Sequence, residues 1–394
     1  MIPDCDLSSV IVEGCIIPNS LTCTRVDSAD GCLRTRKLIY TAKGCDGVEC
    51  SDTQTITWIE DTTPPTITCP PDVEVNGGGE CCVTVDLGTA TATDNCDDEP
   101  TITNDAPEQF CVGTTVVTWT ATDDCGNQVT CQQTVTVLGR ICAHKFYDAN
   151  ADGDQDPGEP NIAGWKIVVR DEDGNILFTG YTDADGNVCF DVPAGTYTVE
   201  DVAPNTSWFS STPSSYEVTI DAENCDESLT FGNYCLVPSG GRTLGFWSSR
   251  IGRSILFAND PGWRTLLNGY CLRNADGTPY TVPAGLFAGA YTSFRTWLLN
   301  ATAVNMAYML SAQMATMILN VAYGSVDGNS FDPCSGMTIN ALIAAANAAL
   351  CADGFTPAGD PNRALQEFLK NCLDALNNGG NVIPPTPCPF DSPY

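Results

Sequence analysis

The chain has 394 residues, enough for three or four domains that each bury a core, and 22 cysteines spread from Cys5 to Cys388. Its formal charge of -32 sits almost wholly in residues 1–239, where 9 Lys+Arg face 40 Asp+Glu, against 8 and 9 from Gly240 onward. Such an acidic part repels nucleic acid and attracts divalent cations, and the plainer reading of it is a salt-adapted or soluble surface.

Cysteines without the close Cys and His clustering of zinc sites fit an oxidising, extracellular compartment and a disulfide framework. The first twenty residues have neither a basic nor a long apolar stretch, so an export signal has been removed or the chain belongs to a longer one.

Residues 1–60 and 61–139 read as two copies of one pattern. Gly31-Cys32 through Ala42 aligns with Phe110-Cys111 through Ala121 at an offset of 79, and Cys45 and Cys50 match Cys125 and Cys131. Both copies alternate apolar and polar residues, rich in Thr and Val, between Gly, Asn and Asp turns, which predicts antiparallel sandwiches. The first copy lacks everything equivalent to Thr62 through Gly79, one edge strand and its cysteine.

The complete copy carries Asp61, Pro64 and Pro65, then Thr68-Cys69-Pro70, Thr93-Asp94-Asn95-Cys96 and Ala121 through Asn127. On these motifs it resembles the hyalin-repeat (HYR) family of immunoglobulin-like extracellular domains, with residues 1–60 a partial member. The resemblance implies Cys69 paired with Cys131 and Cys96 with Cys125, and a role in adhesion or matrix.

Residues 140–238 continue in short strands. Asp148, Asn150, Asp152, Asp154, Asp156 and Glu159 fall at positions 1, 3, 5, 7, 9 and 12 of a loop with Gly153 at position 6, the spacing of a calcium site. No helix pair flanks it, so the expected role is stiffening. Asp171, Asp173, Asp183 and Asp185 on neighbouring turns offer a second cation site or two ordinary Asp-Gly turns. With Gly164 through Asp171 and Pro193 through Val199, the segment resembles the B domains of Cna-type and serine-aspartate-repeat surface proteins, calcium-stiffened sandwiches used as stalk modules. Lys145 and Asn233 sit where some Cna-type domains form an amide crosslink; serine-aspartate-repeat B domains generally do without it, and cysteines 142, 189, 225 and 235 offer a competing staple. The single histidine, His144, has no recognisable nucleophile motif beside it, and no phosphate loop appears.

From residue 239 to 378 the composition turns to Ala, Leu, Asn and Met, and residues 261–268, 287–300, 302–322, 339–351 and 361–376 read as helices. Residues 304–322 are apolar around most of the circumference, which makes them the central helix. Asn305, Ser311, Gln313 and Asn320 interrupt the run too often for a membrane span. Met306, Met309, Met314 and Met317 recur at helical spacing, as core filling or as a subunit contact.

The tail, residues 379–394, holds Pro384, Pro385, Thr386, Cys388 and Asp391, nearly repeating the opening of the complete copy, with Cys388 in the place of Cys69. It reads as a displaced first strand, able to fill the first copy and to bond Cys50, in the same molecule or head to tail in the next. A window cut from a longer repeat array, or chance likeness in a linker, would give the same letters.

The expectation is therefore a mainly β secreted surface protein, tandem immunoglobulin-like sandwiches followed by an α-helical domain. It is expected to be no enzyme but the calcium-bound subunit of a self-assembling filament, without nucleic acid or membrane span as partners. The alternative is an adhesin whose helical domain grips another surface protein or a glycan.

Overall fold

The structure, a computed structural model, describes residues 3–11, 13, 17 and 19–390. It is mainly β, with immunoglobulin-like modules followed by a helical region, and divides into two units. Unit 1 holds residues 1–140 with 191–194 and 220–226, and unit 2 holds the remainder. No helix among the described residues is long and apolar enough to cross a membrane.

In unit 1 the first repeat is a meander of three strands, β1 (Thr22–Asp30), β2 (Leu33–Lys43) and β3 (Glu49–Ile59). The β1–β2 hairpin closes at Gly31, whose φ of 56° a side chain would strain. Period-two alternation buries Leu38 completely and Ala42 nearly so, while β1 and most of β3 stay exposed. Beside them opens a cleft of about 560 Å³ lined by Val10, Ile11, Leu21, Tyr40, Ala42 and Cys50, among others.

The second repeat contains β4 (Thr66–Thr68), β5 (Val73–Asn76), β6 (Cys82–Val83), β7 (Thr91–Thr93), β8 (Thr101–Asn104), β9 (Phe110–Cys111), β10 (Gly113–Thr122) and the first part of β11 (Gln128–Tyr147). β10 pairs with both β8 and β11, β5 runs parallel to Val135–Leu138, β4 pairs with β7, and β6 with β9. Val117, Trp119, Ala121, Val135 and Val137 form its core. Gln133 is fully buried among them, a position costly for an amide unless every atom is paired. It accepts from Trp119 Nε1 and donates to the carbonyls of Pro71 and Leu87, which ties three segments together.

Disulfides join Cys5–Cys23, Cys69–Cys131, Cys81–Cys225 and Cys82–Cys111 in this unit. The expected Cys96–Cys125 bridge is corrected: Cys96 bonds Cys32, and Cys125 is an exposed free thiol. The β1–β2 turn lies against the 94–97 loop, with Cys32 Sγ 3.8 Å from the Asn95 carbonyl, so the first repeat's cysteine takes the partner that an isolated domain would have used internally.

Unit 2 begins with a second sandwich. One sheet orders β12 (Lys166–Arg170), β13 (Ile176–Tyr181), β15 (Gly195–Val202) and β17 (Ser215–Ile220) as β13-β12-β15-β17. The facing strands are the end of β11, β16 (Trp208–Ser210) and β18 (Asp226–Cys235), with β14 (Asn187–Val192) also paired to β11. Their inward positions, Ile141, Ala143, Tyr147, Trp165, Ile167, Val169, Val199, Trp208 and Phe231, make the core. Cys142–Cys189 ties it at one side.

A short β19 (Val237–Pro238) leads into seven helices: α1 (Leu244–Trp247), α2 (Arg250–Ala258), α3 (Gly262–Leu267), α4 (Phe287–Leu299), α5 (Met306–Ala322), α6 (Ile339–Ala352) and α7 (Arg363–Asn377). Between α5 and α6 lies the small hairpin β20 (Phe331–Asp332) and β21 (Met337–Thr338). The first two helices, capped by Thr243 and Ser249, escaped the sequence reading because they are short and lie in an otherwise irregular stretch. α5 starts four residues later than residue 302, because Asn305 caps it: its side-chain oxygen accepts from the Ala307 amide, and its Nδ2 faces the carbonyls of Asn274, Ala275 and Gly354. α5 is the central helix, with Met306, Met314 and Met317 at most 2 % exposed, so these three methionines fill the core, while Met309 is half-buried.

The polar residues of α5 are buried and paired. Gln313 donates to Asp374, and Asn320 accepts from Trp247 Nε1 while donating to Asn377 and to the Arg242 carbonyl. Cys271–Cys351 and Cys334–Cys372 close the bundle.

Candidate functional site

Three places carry more chemistry than packing requires. The first lies inside the second sandwich. Strand alternation turns odd-numbered residues of β11 inward through Ile141, Ala143 and Lys145, of β15 through Tyr197, Val199 and Asp201, and of β18 through Phe231, Asn233 and Cys235. The pattern thus delivers an amine, a carboxylate and an amide to one point of an aromatic core.

Lys145 is 0 % exposed, and its Nζ donates to Asp201 Oδ2 at 2.9 Å, to the Phe231 carbonyl at 3.2 Å and to Asn233 Oδ1. Trp165 covers the ammonium at 4.5 Å from the ring centroid and donates its indole N–H to Asp201 Oδ1. Asn233 Nδ2 is buried without an acceptor. Burial pushes the lysine down to about 8, against the opposing charge and hydrogen bond of Asp201. An amine near neutrality, in contact with a carboxamide and a carboxylate, is equipped for amide exchange. Asp201 was missed in the sequence; the one signal for it is an acid at an inward position of an otherwise alternating strand.

The second place is the 148–159 loop. Asp148, fully buried, accepts from the amides of Asn150, Asp152 and Gly153, which wraps the loop around its carboxylate. Asn150 Oδ1 and Asp152 Oδ1 accept from the amides two residues on, and Glu159 accepts from Ala149 and Asp156. Ala151 and Gly153 take left-handed φ values, which the sharp turn needs. Burial, with the charges of Asp148 and Asp156 adding, pushes Glu159 above the usual carboxylate range, a repulsion that a hard dication would relieve. The oxygen-only donor set fits such an ion. The Asp171, Asp173, Asp183 and Asp185 group is not gathered in this way: Asp171 caps its own turn through Asn175 and Asp183 through Asn187. His144 bridges Asn187 and Gln155 on the sandwich surface.

The third place is the tail, and here the expectation is corrected. Cys388 bonds Cys235 of its own chain, and Cys50 is an exposed free thiol. β22 (Asn381–Val382) pairs with β19, Ile383 bridges Phe331, and Pro384 accepts from the Tyr147 hydroxyl at 2.7 Å. Phe390 packs edge-on against Trp165 and Trp208. Pro384, Pro385 and Thr386 therefore lie in a tail that closes the second sandwich and the helices, instead of standing free to bond Cys50. Asp391 lies outside the described residues.

Comparison with known proteins agrees with this layout. Residues 60–137 match the HYR domain model and residues 139–240 the SdrD B-like domain model. Among curated proteins, serine-aspartate repeat-containing protein F of Staphylococcus epidermidis is 37 % identical over 76 residues, 19 % of this chain and 5 % of that protein. Serine-aspartate repeat-containing protein D of Staphylococcus aureus (strain Newman) is 38 % identical over 84 residues, 21 % of this chain and 6 % of that protein. The fibrinogen-binding protein of S. epidermidis is 33 % identical over 90 residues, 23 % of this chain and 8 % of that protein. The chain thus spans under a tenth of the length of these relatives. Among solved structures, BcpA, the major pilin subunit of Bacillus cereus, aligns over 54 % of this chain and 70 % of its own at 12 % identity and a TM-score of 0.22.

Proposed function

We propose that this chain is a load-bearing segment of an extracellular surface appendage, acting by assembly and mechanical resistance and not by turnover. The Lys145, Asp201 and Asn233 cluster carries the reading. It joins β11 and β18, the first and last strands of the second sandwich, through which tension along the chain enters and leaves. A covalent link there lets tension bypass the rest of the module. The disulfides and the serine-aspartate-repeat relatives support the same reading.

Calcium in the 148–159 loop is part of the proposal. Asp148, Asn150, Asp152, Asp154, Asp156 and Glu159 would hold it, and the ion would fix the loop against the sandwich. Chelation should then lower the module's stability by about 3 kcal/mol when calcium had been present at a hundredfold excess over its dissociation constant. Scanning calorimetry with and without chelator measures this, and in Asp148→Ala the melting of the second sandwich should no longer respond to chelator.

Filament growth, in this reading, uses the open first-repeat sheet as the surface to which another copy adds a strand. The resting tail is engaged within its own unit, so the thiols available for a covalent joint among the described residues are Cys50 and Cys125. Native material should run as a ladder on gels without reductant, and Cys50→Ser should collapse that ladder to monomer. A ladder surviving in the Cys50→Ser, Cys125→Ser double variant would refute the covalent joint. An adhesive grip by the helical module is less well supported: Tyr280 and Trp297, stacked 4.2 Å apart, are both buried and serve its core.

A further inference from the structure

Asp61 lies in the segment between β3 and β4, and Asp94 and Asp123 lie in two loops of the second repeat. Carboxylate oxygens of all three come within 4.8 Å of one another. Asp61 Oδ1 accepts from the Thr63 amide and from Asn95 Nδ2, Asp94 Oδ1 from the amides of Cys96 and Asp97, and Asp123 Oδ1 from those of Cys125 and Asn127, while its Oδ2 accepts from Asn127 Nδ2. The second oxygens of Asp61 and Asp94 are sealed from solvent, yet accept no hydrogen bond. Among the described residues no Lys or Arg pairs with any of the three. Two dry, unpaired carboxylate oxygens facing a third carboxylate are a costly arrangement, and a hard divalent cation is the ligand that resolves it.

We propose that Asp61, Asp94 and Asp123 bind a divalent cation of the calcium type, separate from the 148–159 loop. All three ligands belong to the complete repeat, with Asp61 at its start, where the chain enters from the first repeat. Cys32–Cys96 crosses the same joint, and the Glu60 amide donates to the Cys32 carbonyl there. Binding therefore freezes the connection between the repeats: the disulfide limits their separation and the ion fixes the angle.

The test uses the full chain with its loop site disabled by Asp148→Ala, titrated with calcium by calorimetry and with terbium by luminescence. One site should remain, and Asp61→Asn with Asp94→Asn should remove it, since the amides keep the turn-capping oxygens but leave one ligand carboxylate of three. The melting curves should also cross: without metal the double variant should melt higher than its parent, because repulsion is relieved, and with calcium it should melt lower. Absence of a residual site, or a residual site indifferent to Asp61 and Asp94, overturns the proposal, as do melting curves that keep their order with calcium added.

Discussion

The purified chain should weigh one ammonia less than its sequence and disulfides require, and a peptide holding Lys145 joined to Asn233 should survive digestion after reduction. The geometry supplies each part of the reaction. Neutral Lys145 Nζ attacks Asn233 Cγ, the Nζ–Cγ bond forms and the Cγ–Nδ2 bond breaks. Two protons of the ammonium, relayed by Asp201, leave with Nδ2 as ammonium ion. Lys145 Nζ already touches the amide, and Asn233 Nδ2 has no hydrogen bond to lose. Asn233→Ala should restore the full mass while leaving the Lys145 and Asp201 ion pair in place. Asp201→Ala should also block the link. The bond spans 88 residues, so by loop-closure entropy its loss costs about 4 to 5 kcal/mol, on the order of 20 °C in melting temperature for a module of this size. An unchanged mass in the native chain would leave only a buried ion pair, a far weaker brace.

Cys388→Ser should be at least as damaging. Cys235–Cys388 closes a loop of 153 residues that contains the whole helical module. Chain-entropy arguments put its contribution at about 5 kcal/mol, with the native-state strain term left aside. The variant should also release the tail: a protease should clip residues 380–390, and Tyr147 should lose its acceptor at Pro384. Equal melting temperatures and an uncut tail would show that the Phe390 contacts with Trp165 and Trp208 hold it without the bond.

Strand alternation and turn chemistry made most of this architecture readable in the sequence. The repeat at an offset of 79, the loop spacing from Asp148 to Glu159 and the central position of α5 follow from local periodicity. Cys32–Cys96 did not, since a bridge between repeats is chosen by tertiary proximity and carries no spacing signal. The tail misled for a related reason. Its likeness to the start of the complete repeat covers a short edge segment, and β4 has only three residues. What decides its place is Phe390 and Cys388 meeting partners in the second sandwich. Asp61, Asp94 and Asp123 stood within motifs read for family likeness, but nothing in the letters says that three loops converge. The interruptions in α5 were read correctly as evidence against a membrane span, while their pairing with Asp374, Asn377 and Trp247 needed the fold.

The acidity of the first part of the chain has a consequence for its habitat. Many of its carboxylates are fasteners at the corners: Asp171 is held below the usual carboxylate range by the side chain and backbone of Asn175, Asp221 by the amides of Asn224 and Glu223, and Asp123, despite burial, by Asn127 and its neighbours. Carboxyls depressed in this way stabilise the fold above their ordinary titration range and release it as the pH falls through their lowered values. Brine should therefore trouble this molecule little, since its corner bonds are short and local, whereas acid strong enough to protonate carboxyls below their ordinary range would undo its corners one by one while the sulfur bridges still held the strands.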